Sequence, residues 1–190
     1  MTAPVSGFII LSEVVPANLP SPEQIVVLCK NVGDKISGFS FADLSSGTLL
    51  AWFKYGPNVV MDEALTRAWV AEHLETKPEI GVKVPRDYMT FTSAHSFCDI
   101  GYIIIEYMAA PDCKSREYKR VAQAVVTLIR IEAPSSVPGP IDGGEVVHEF
   151  FVGWESDLKY DTSKELQDHV NRVSKHQSFN TSRLLMAHWP

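Results

Sequence analysis

The run GYIIIEYM, residues 101 to 108, restricts the fold more than any other stretch of the chain. Its three consecutive isoleucines are stiff at χ1 and suit a pleated surface better than a helix. An unbroken β-branched centre of this length reads as a buried strand. A chain of 190 residues is long enough to bury such a strand in a sizeable core. Its 45% hydrophobic and 21% charged residues are those of an ordinary globular protein.

Partners for this strand are visible elsewhere. GFIILSEVV, from residue 7, is too short and too soon interrupted for a signal peptide and reads as a strand or packing segment. In KISGFSFADL the residues Ile36, Phe39 and Phe41 alternate with polar ones, the turn SSGT follows, and LLAWFKY runs on from residue 49. Two such runs about a glycine-containing turn predict an antiparallel hairpin. VKVPRDYMTFT is strand-like but broken at Pro85, and SAHSFCD reads as a loop.

Helices separate and follow these strands. Ser21-Pro22-Glu23-Gln24 is a capping-box start, with Ile25, Leu28, Cys29 and Val32 as the apolar stripe. Residues 61 to 75 read as helix, with Asp62 placed to cap and Leu65, Ala68, Trp69 and Ala71 on the core face. Residues 114 to 132 form a third, with Tyr118, Val121, Ala122, Val125, Leu128 and Ile129 expected on the core side. A Pro/Gly/Ser loop follows over 133 to 145, then a helix over 161 to 176 with a Thr162/Glu165 capping box. QSFNTSRLLMAHWP, at 177 to 190, has no clear period. The order predicts an α+β lobe with an antiparallel sheet and one packed helix, residues 1 to 109, followed by a helical segment, 110 to 190.

Charge and cysteine usage narrow the function classes. Net charge is −6 and no basic run or stripe occurs, which speaks against nucleic acid and anionic membrane as partners. No stretch approaches the roughly 18 apolar residues of a membrane span. Cys29, Cys98 and Cys113 are far apart and form no CxxC pair, so a reducing, cytoplasmic setting is the simplest expectation. His73, His95, His148, His169 and His176 show no ligand-like clustering. His95 lies near Cys98 in sequence, which is poor evidence for a catalytic dyad.

One cation stands out. Lys54 closes an apolar strand, and Glu63 lies nine residues on, in the first turn of a helix. A lysine beside a sheet core is costly to bury unless paired, and a first-turn carboxylate suits both the helix dipole and that pairing. The plainer alternative is a strand-end lysine and a helix-start glutamate that both reach solvent.

The succession FKYGPNVVMDEALTRAWVAEHL, KVP and GYIIIEYM resembles the N-terminal lobe of the aminoglycoside phosphotransferase-like kinases, the fungal branch most closely. The resemblance runs over about residues 20 to 172, through IEAPSS and the PGP…GG…FF stretch. It implies ATP as ligand, with Lys54 on the α- and β-phosphates and Glu63 orienting it. Ile105 falls at the gatekeeper-like place, and the backbone of Glu106 and Met108 would face the adenine edge. The resemblance also implies a catalytic aspartate, an asparagine and a metal-binding aspartate. Asp157, Asp161 and Asp168 lack the matching context, and the hairpin tip ADLSSGTLL carries one glycine where kinases commonly have several.

The resulting expectation is a truncated, kinase-like pseudoenzyme or interaction module with residual nucleotide binding. The face left by a missing lobe would then serve a protein partner or a second copy. Phe150, Phe151, Trp154, Leu184, Leu185, Met186 and Trp189 are its candidate apolar groups. A repurposed lobe is the alternative: a small-molecule binder or an enzyme of another class, with Tyr102, Glu106, Tyr107 and His148 around a cavity beside the 115 to 132 helix.

Overall fold

The computed structural model describes residues 5–33, 38–78, 81–95, 98–111, 113–148, 150–151 and 155–186, with side chains through residue 174. Ile36, Trp154 and Trp189 lie outside the described residues, as do the side chains of His176, Leu184, Leu185 and Met186. The chain divides into two units, Met1–Glu132 and Ala133–Pro190.

The first unit is built on a five-stranded antiparallel sheet. Its strands are β1 (Val5–Ile10), β2 (Gly38–Ala42), β3 (Leu49–Gly56), β4 (Asp87–Ala94) and β5 (Asp99–Glu106), in the order β1-β4-β5-β3-β2. The isoleucine run is the central strand β5, held between β3 and β4. Tyr102, Ile103 and Ile104 are all buried, which requires cover on both faces. The predicted 35–55 hairpin forms as β2–β3, and the segment from residue 7 becomes β1 at the β4 edge. The strand β4 starts two residues after Pro85 and continues to Ala94, so it takes in Ser93 and Ala94 of the expected loop.

Each face of the sheet carries a helix. The helix α1 (Pro22–Val32) starts with the predicted capping box: Gln24 N–H donates to Ser21 Oγ and Ser21 N–H to Gln24 Oε1. Ile25, Val26 and Cys29 of α1 are buried against Phe53, Tyr55, Phe91, Tyr102 and Ile104. Beneath α1, aromatic rings cross the sheet: Phe41 stacks on Phe53 at 5.0 Å, and Tyr102 stacks on Phe91 at 4.8 Å. The Tyr55 hydroxyl donates to the carbonyl of Gly33 at 2.9 Å, which ties the end of α1 to β3. Burial pushes the Cys29 thiol up to about 12, so this cysteine is a packing group, whereas Cys98 and Cys113 are exposed.

The opposite face carries α2 (Met61–Glu75). Here the expected register shifts. Ala64, Ala71 and Leu74 are buried, while Leu65, Ala68 and Trp69 are only half-buried. The small side chain of Ala64 lets the helix settle on Val59 and Ile103. The N-cap is Val60 without a side-chain cap bond, so Asp62 sits within the first turn instead of capping it. There its charge still favours the helix dipole.

The third helix departs from expectation. A 3-10 turn (Ser115–Glu117) leads into α3 (Tyr118–Ile129), which has no buried residue. Tyr118, Val121, Ala122, Val125, Leu128 and Ile129, expected in the core, are all exposed. Periodicity reports that a helix has an apolar face; it does not say what that face meets.

In the second unit, Val147 and Glu155 form an isolated antiparallel bridge and α4 spans Ser163–Met186. The helix continues through a tail in which no period was legible. At its start Glu165 N–H donates to Thr162 Oγ1, while the Glu165 carboxylate accepts from Asp161 N–H, one residue before the box position expected. Ser156, Tyr160 and His169 form a hydrogen-bonded row, with Ser156 Oγ to Tyr160 Oη at 2.6 Å and Tyr160 Oη to His169 Nδ1 at 2.5 Å. Ser156 also donates to the carbonyl of Leu158.

Gly101 marks the tightest approach in the first unit. A Cβ there would lie 1.8 Å from the carbonyl oxygen of Val59, a backbone atom that cannot swing aside. Gly101→Ala therefore forces β5 away from the turn before α2. It is expected to lower the unfolding free energy by about 3 kcal/mol in urea denaturation, and a change under about 0.5 kcal/mol, the range of neutral surface substitutions, would contradict this packing.

Candidate functional site

The candidate site lies on the α2 face and is made by the period of β3. Phe53 and Tyr55 point into the aromatic layer, so Lys54 emerges on the other side. The turn Gly56–Val60 brings α2 back over the sheet and places Glu63 above the lysine. Lys54 Nζ donates to both Glu63 oxygens, at 2.5 and 2.6 Å. Both side chains keep about a third of their surface accessible, so the pair is held without being sealed.

Two further charges extend it. Arg67, one helical turn beyond Glu63, has Nη1 at 3.8 Å from the Glu63 carboxylate and Nη2 at 3.7 Å from Asp87 Oδ1. Lys54, Glu63, Arg67 and Asp87 thus alternate in sign across β3, α2 and β4. Asp87 is the anomaly. Its side chain is fully buried, and neither carboxylate oxygen has a hydrogen-bond partner. Burial pushes its carboxyl up to about 6; Arg67 and Lys54 pull the other way, and Glu63 adds to the rise.

The other predicted residues are spread along the end of β5. Glu106 receives a hydrogen bond from Lys83 Nζ at 2.7 Å and one from the Arg86 N–H at 3.3 Å. Partial burial works to raise its carboxyl, but these bonds and charges outweigh it and hold it below its usual value. The Glu106 N–H donates to the Arg86 carbonyl at 2.8 Å. The Met108 carbonyl accepts from Ala110 at 2.8 Å, and no described residue accepts from the Met108 N–H. Ile105 packs beside the Val59–Ala64–Ile103 cluster.

The hairpin tip is poorly arranged for phosphate. Asp43 accepts from the Ser45 N–H and from both serine hydroxyls. Those bonds outweigh the slight burial and draw its carboxyl down to about 2. A fixed negative charge therefore holds the donors that a phosphate would need.

Of the residues suggested for a cavity beside the 115 to 132 helix, Tyr102 belongs to the aromatic core and Glu106 is engaged by Lys83. Phe150 and Phe151 are half-buried and meet edge-to-face at 5.4 Å.

Two open clefts flank the sheet unit. One, of about 660 Å³, lies along α2 and is lined by Leu11, Glu13, Leu65, Trp69, Glu72 and Asp87 among others. The other, of about 630 Å³, lies between α1 and the hairpin tip, with Leu19, Val27, Leu28, Phe41 and Leu44 on its wall. Among the described residues no group of three or more His, Cys, Asp or Glu side chains could hold a metal ion. None of their helices is long and apolar enough to cross a membrane. No protein-family model, curated protein or solved structure matches the chain.

Arg67 and Asp87 were not singled out from the sequence. The Glu63/Arg67 spacing of four on one helix face was a readable signal. Asp87 carries none, because nothing local separates a strand-start carboxylate that becomes buried from one that reaches solvent.

The raised carboxyl of Asp87 has a defined sign for stability. A folded-state value above the unfolded one means the native state holds the proton more tightly. The contribution is present below about pH 4 and is lost as pH rises through about 6. Asp87→Asn is expected to gain unfolding free energy relative to wild type between those limits, on the order of 1–3 kcal/mol. A difference between the two proteins that is independent of pH would mean that Asp87 ionises normally in the fold.

Proposed function

We propose that the first unit is a kinase-like nucleotide-binding lobe of the aminoglycoside phosphotransferase type, which binds ATP through Lys54 and does not by itself turn it over. The observation that carries this reading is the two-oxygen grip of Glu63 on Lys54 Nζ, between a central strand and the first turn of the helix packed on it. That grip holds an ammonium extended and half-exposed, where a polyphosphate can compete for it. The Met108 N–H, with no described acceptor, is the donor offered to an adenine edge at the end of β5. Ile105 beside it supplies an apolar wall. No catalytic-loop aspartate or metal-binding pair is recognisable in the sequence, which is why binding without phosphoryl transfer is proposed. Free, widely spaced cysteines agree with a cytoplasmic setting, and the net charge of −6 agrees with partners other than nucleic acid or anionic membrane.

Calorimetry with ATP, with and without Mg²⁺, tests the reading on wild type and Lys54→Ala. Saturable binding is expected, weakened about tenfold or more by the substitution, since a hydrogen bond to a charged group contributes about 1.5–3 kcal/mol. Equal binding by both proteins, or none by either, would reject it.

The exposed apolar face of α3 favours a second, compatible reading, in which the chain pairs with a second copy or a protein partner. Tyr118, Val121, Val125 and Leu128 are spaced three, four and three apart, the spacing of a helix-pairing seam. Light scattering would show a dimer that Val125→Asp returns to monomer; a wild-type monomer at high concentration would dismiss self-association.

A further inference from the structure

The cleft along α2 has a lining that the nucleotide reading leaves unused. Its walls are the β1–α1 connection, the helix α2, and Arg86 and Asp87 at the start of β4. Four carboxylates line it, Glu13, Glu72, Glu75 and Asp87, against one cation, Arg86. Arg86 is already bound to Glu75 at 2.8 Å. Glu13 and Glu72 have no cationic side chain within ion-pair distance among the described residues.

Asp87 supplies the second, independent observation. It is 2% exposed, it lines the cleft, and both of its oxygens lack a hydrogen-bond donor. Arg67, at 3.7 Å, offers charge without a bond. A buried carboxylate left in that state is expensive. An ammonium entering the cleft would bring the N–H donors that the fold does not provide.

The character of the rest of the lining identifies the cation. The carboxylates are too dispersed to hold a metal ion. The same cleft is also lined by Leu11, Leu65 and Trp69. Apolar surface together with several negative charges suits a chain of methylenes joining several amines, with an aromatic side chain for one of the cations. We propose that this cleft is a binding site for a linear aliphatic polyamine, with Asp87 as its deep counter-ion and Glu72 and Glu13 at its rim.

Lys54 does not line this cleft, although its charge reaches Asp87 along the Glu63–Arg67 series. Spermidine is the probe, titrated calorimetrically at physiological salt into wild type, Asp87→Asn, Glu72→Gln and Lys54→Ala, with magnesium chloride as the comparison. Saturable binding of spermidine is expected, about tenfold weaker in Asp87→Asn and several-fold weaker in Glu72→Gln, while Lys54→Ala, which removes a cation near Asp87, does not weaken it. Glu72 is exposed on a helix surface, so Glu72→Gln decides the matter should Asp87→Asn fail to give the wild-type circular dichroism spectrum. Non-saturating heats, equal affinity in the folded carboxylate variants, or magnesium binding as tightly as spermidine would each overturn the proposal.

Discussion

Lys54 leaves β3 on the opposite face from Phe53 and Tyr55, and the chemistry of the first unit depends on that alternation. The two aromatic residues are committed to the layer beneath α1, where Phe53 meets Phe41 and Tyr55 stacks with Tyr102. Slipping the β3 register by one residue would put an ammonium into that layer and expose two rings. The pairing of Phe53 with Ile104 and Lys54 with Ile103 excludes the slip, because β5 has its own apolar residues on both faces. The lysine is thus held on the α2 face, where the Glu63 carboxylate answers it.

The answering charges form a series, and its two ends differ. At the open end, Lys54 and Glu63 are half-exposed, and their bonds can be exchanged for those of a ligand. At the closed end, Asp87 is sealed, weakly countered by Arg67, and driven toward its neutral form by burial. Natural folds seldom leave a buried carboxylate without donors unless the group has further use. The α2 helix thus borders both the Lys54–Glu63 pair and the carboxylate-lined cleft.

Two of the three helices of the first unit illustrate what packing adds to pattern. In α2 the apolar stripe is irregular, yet Ala64, Ala71 and Leu74 are buried because the turn after β3 delivers the helix onto Val59 and Ile103. In α3 the stripe is far more regular, yet none of it is buried. A regular stripe left exposed has the composition of an interface, which is the basis for reading it as a surface for a partner.

The sequence by itself determined the α+β class, the central isoleucine strand, the β2–β3 hairpin and the capping box of α1. In each of these the signal is local: a two-residue period, a turn residue, or a cap three residues from its partner. It also placed Lys54 and Glu63 in neighbouring elements, because the turn between them is short. Only the tertiary structure decided the rest. Pairing of β1 with β4, from Ile10 with Met89 to Val5 with Ser93, is a non-local choice that no local propensity encodes. The α2 register follows the space above Ile103, and the exposure of α3 is likewise invisible in its own periodicity. The position of Asp87 follows likewise: it becomes a buried, donor-less carboxylate only when β4 slides under α2. Burial is a property of the assembled layers, and it alone makes Asp87 a carboxylate without hydrogen-bond donors.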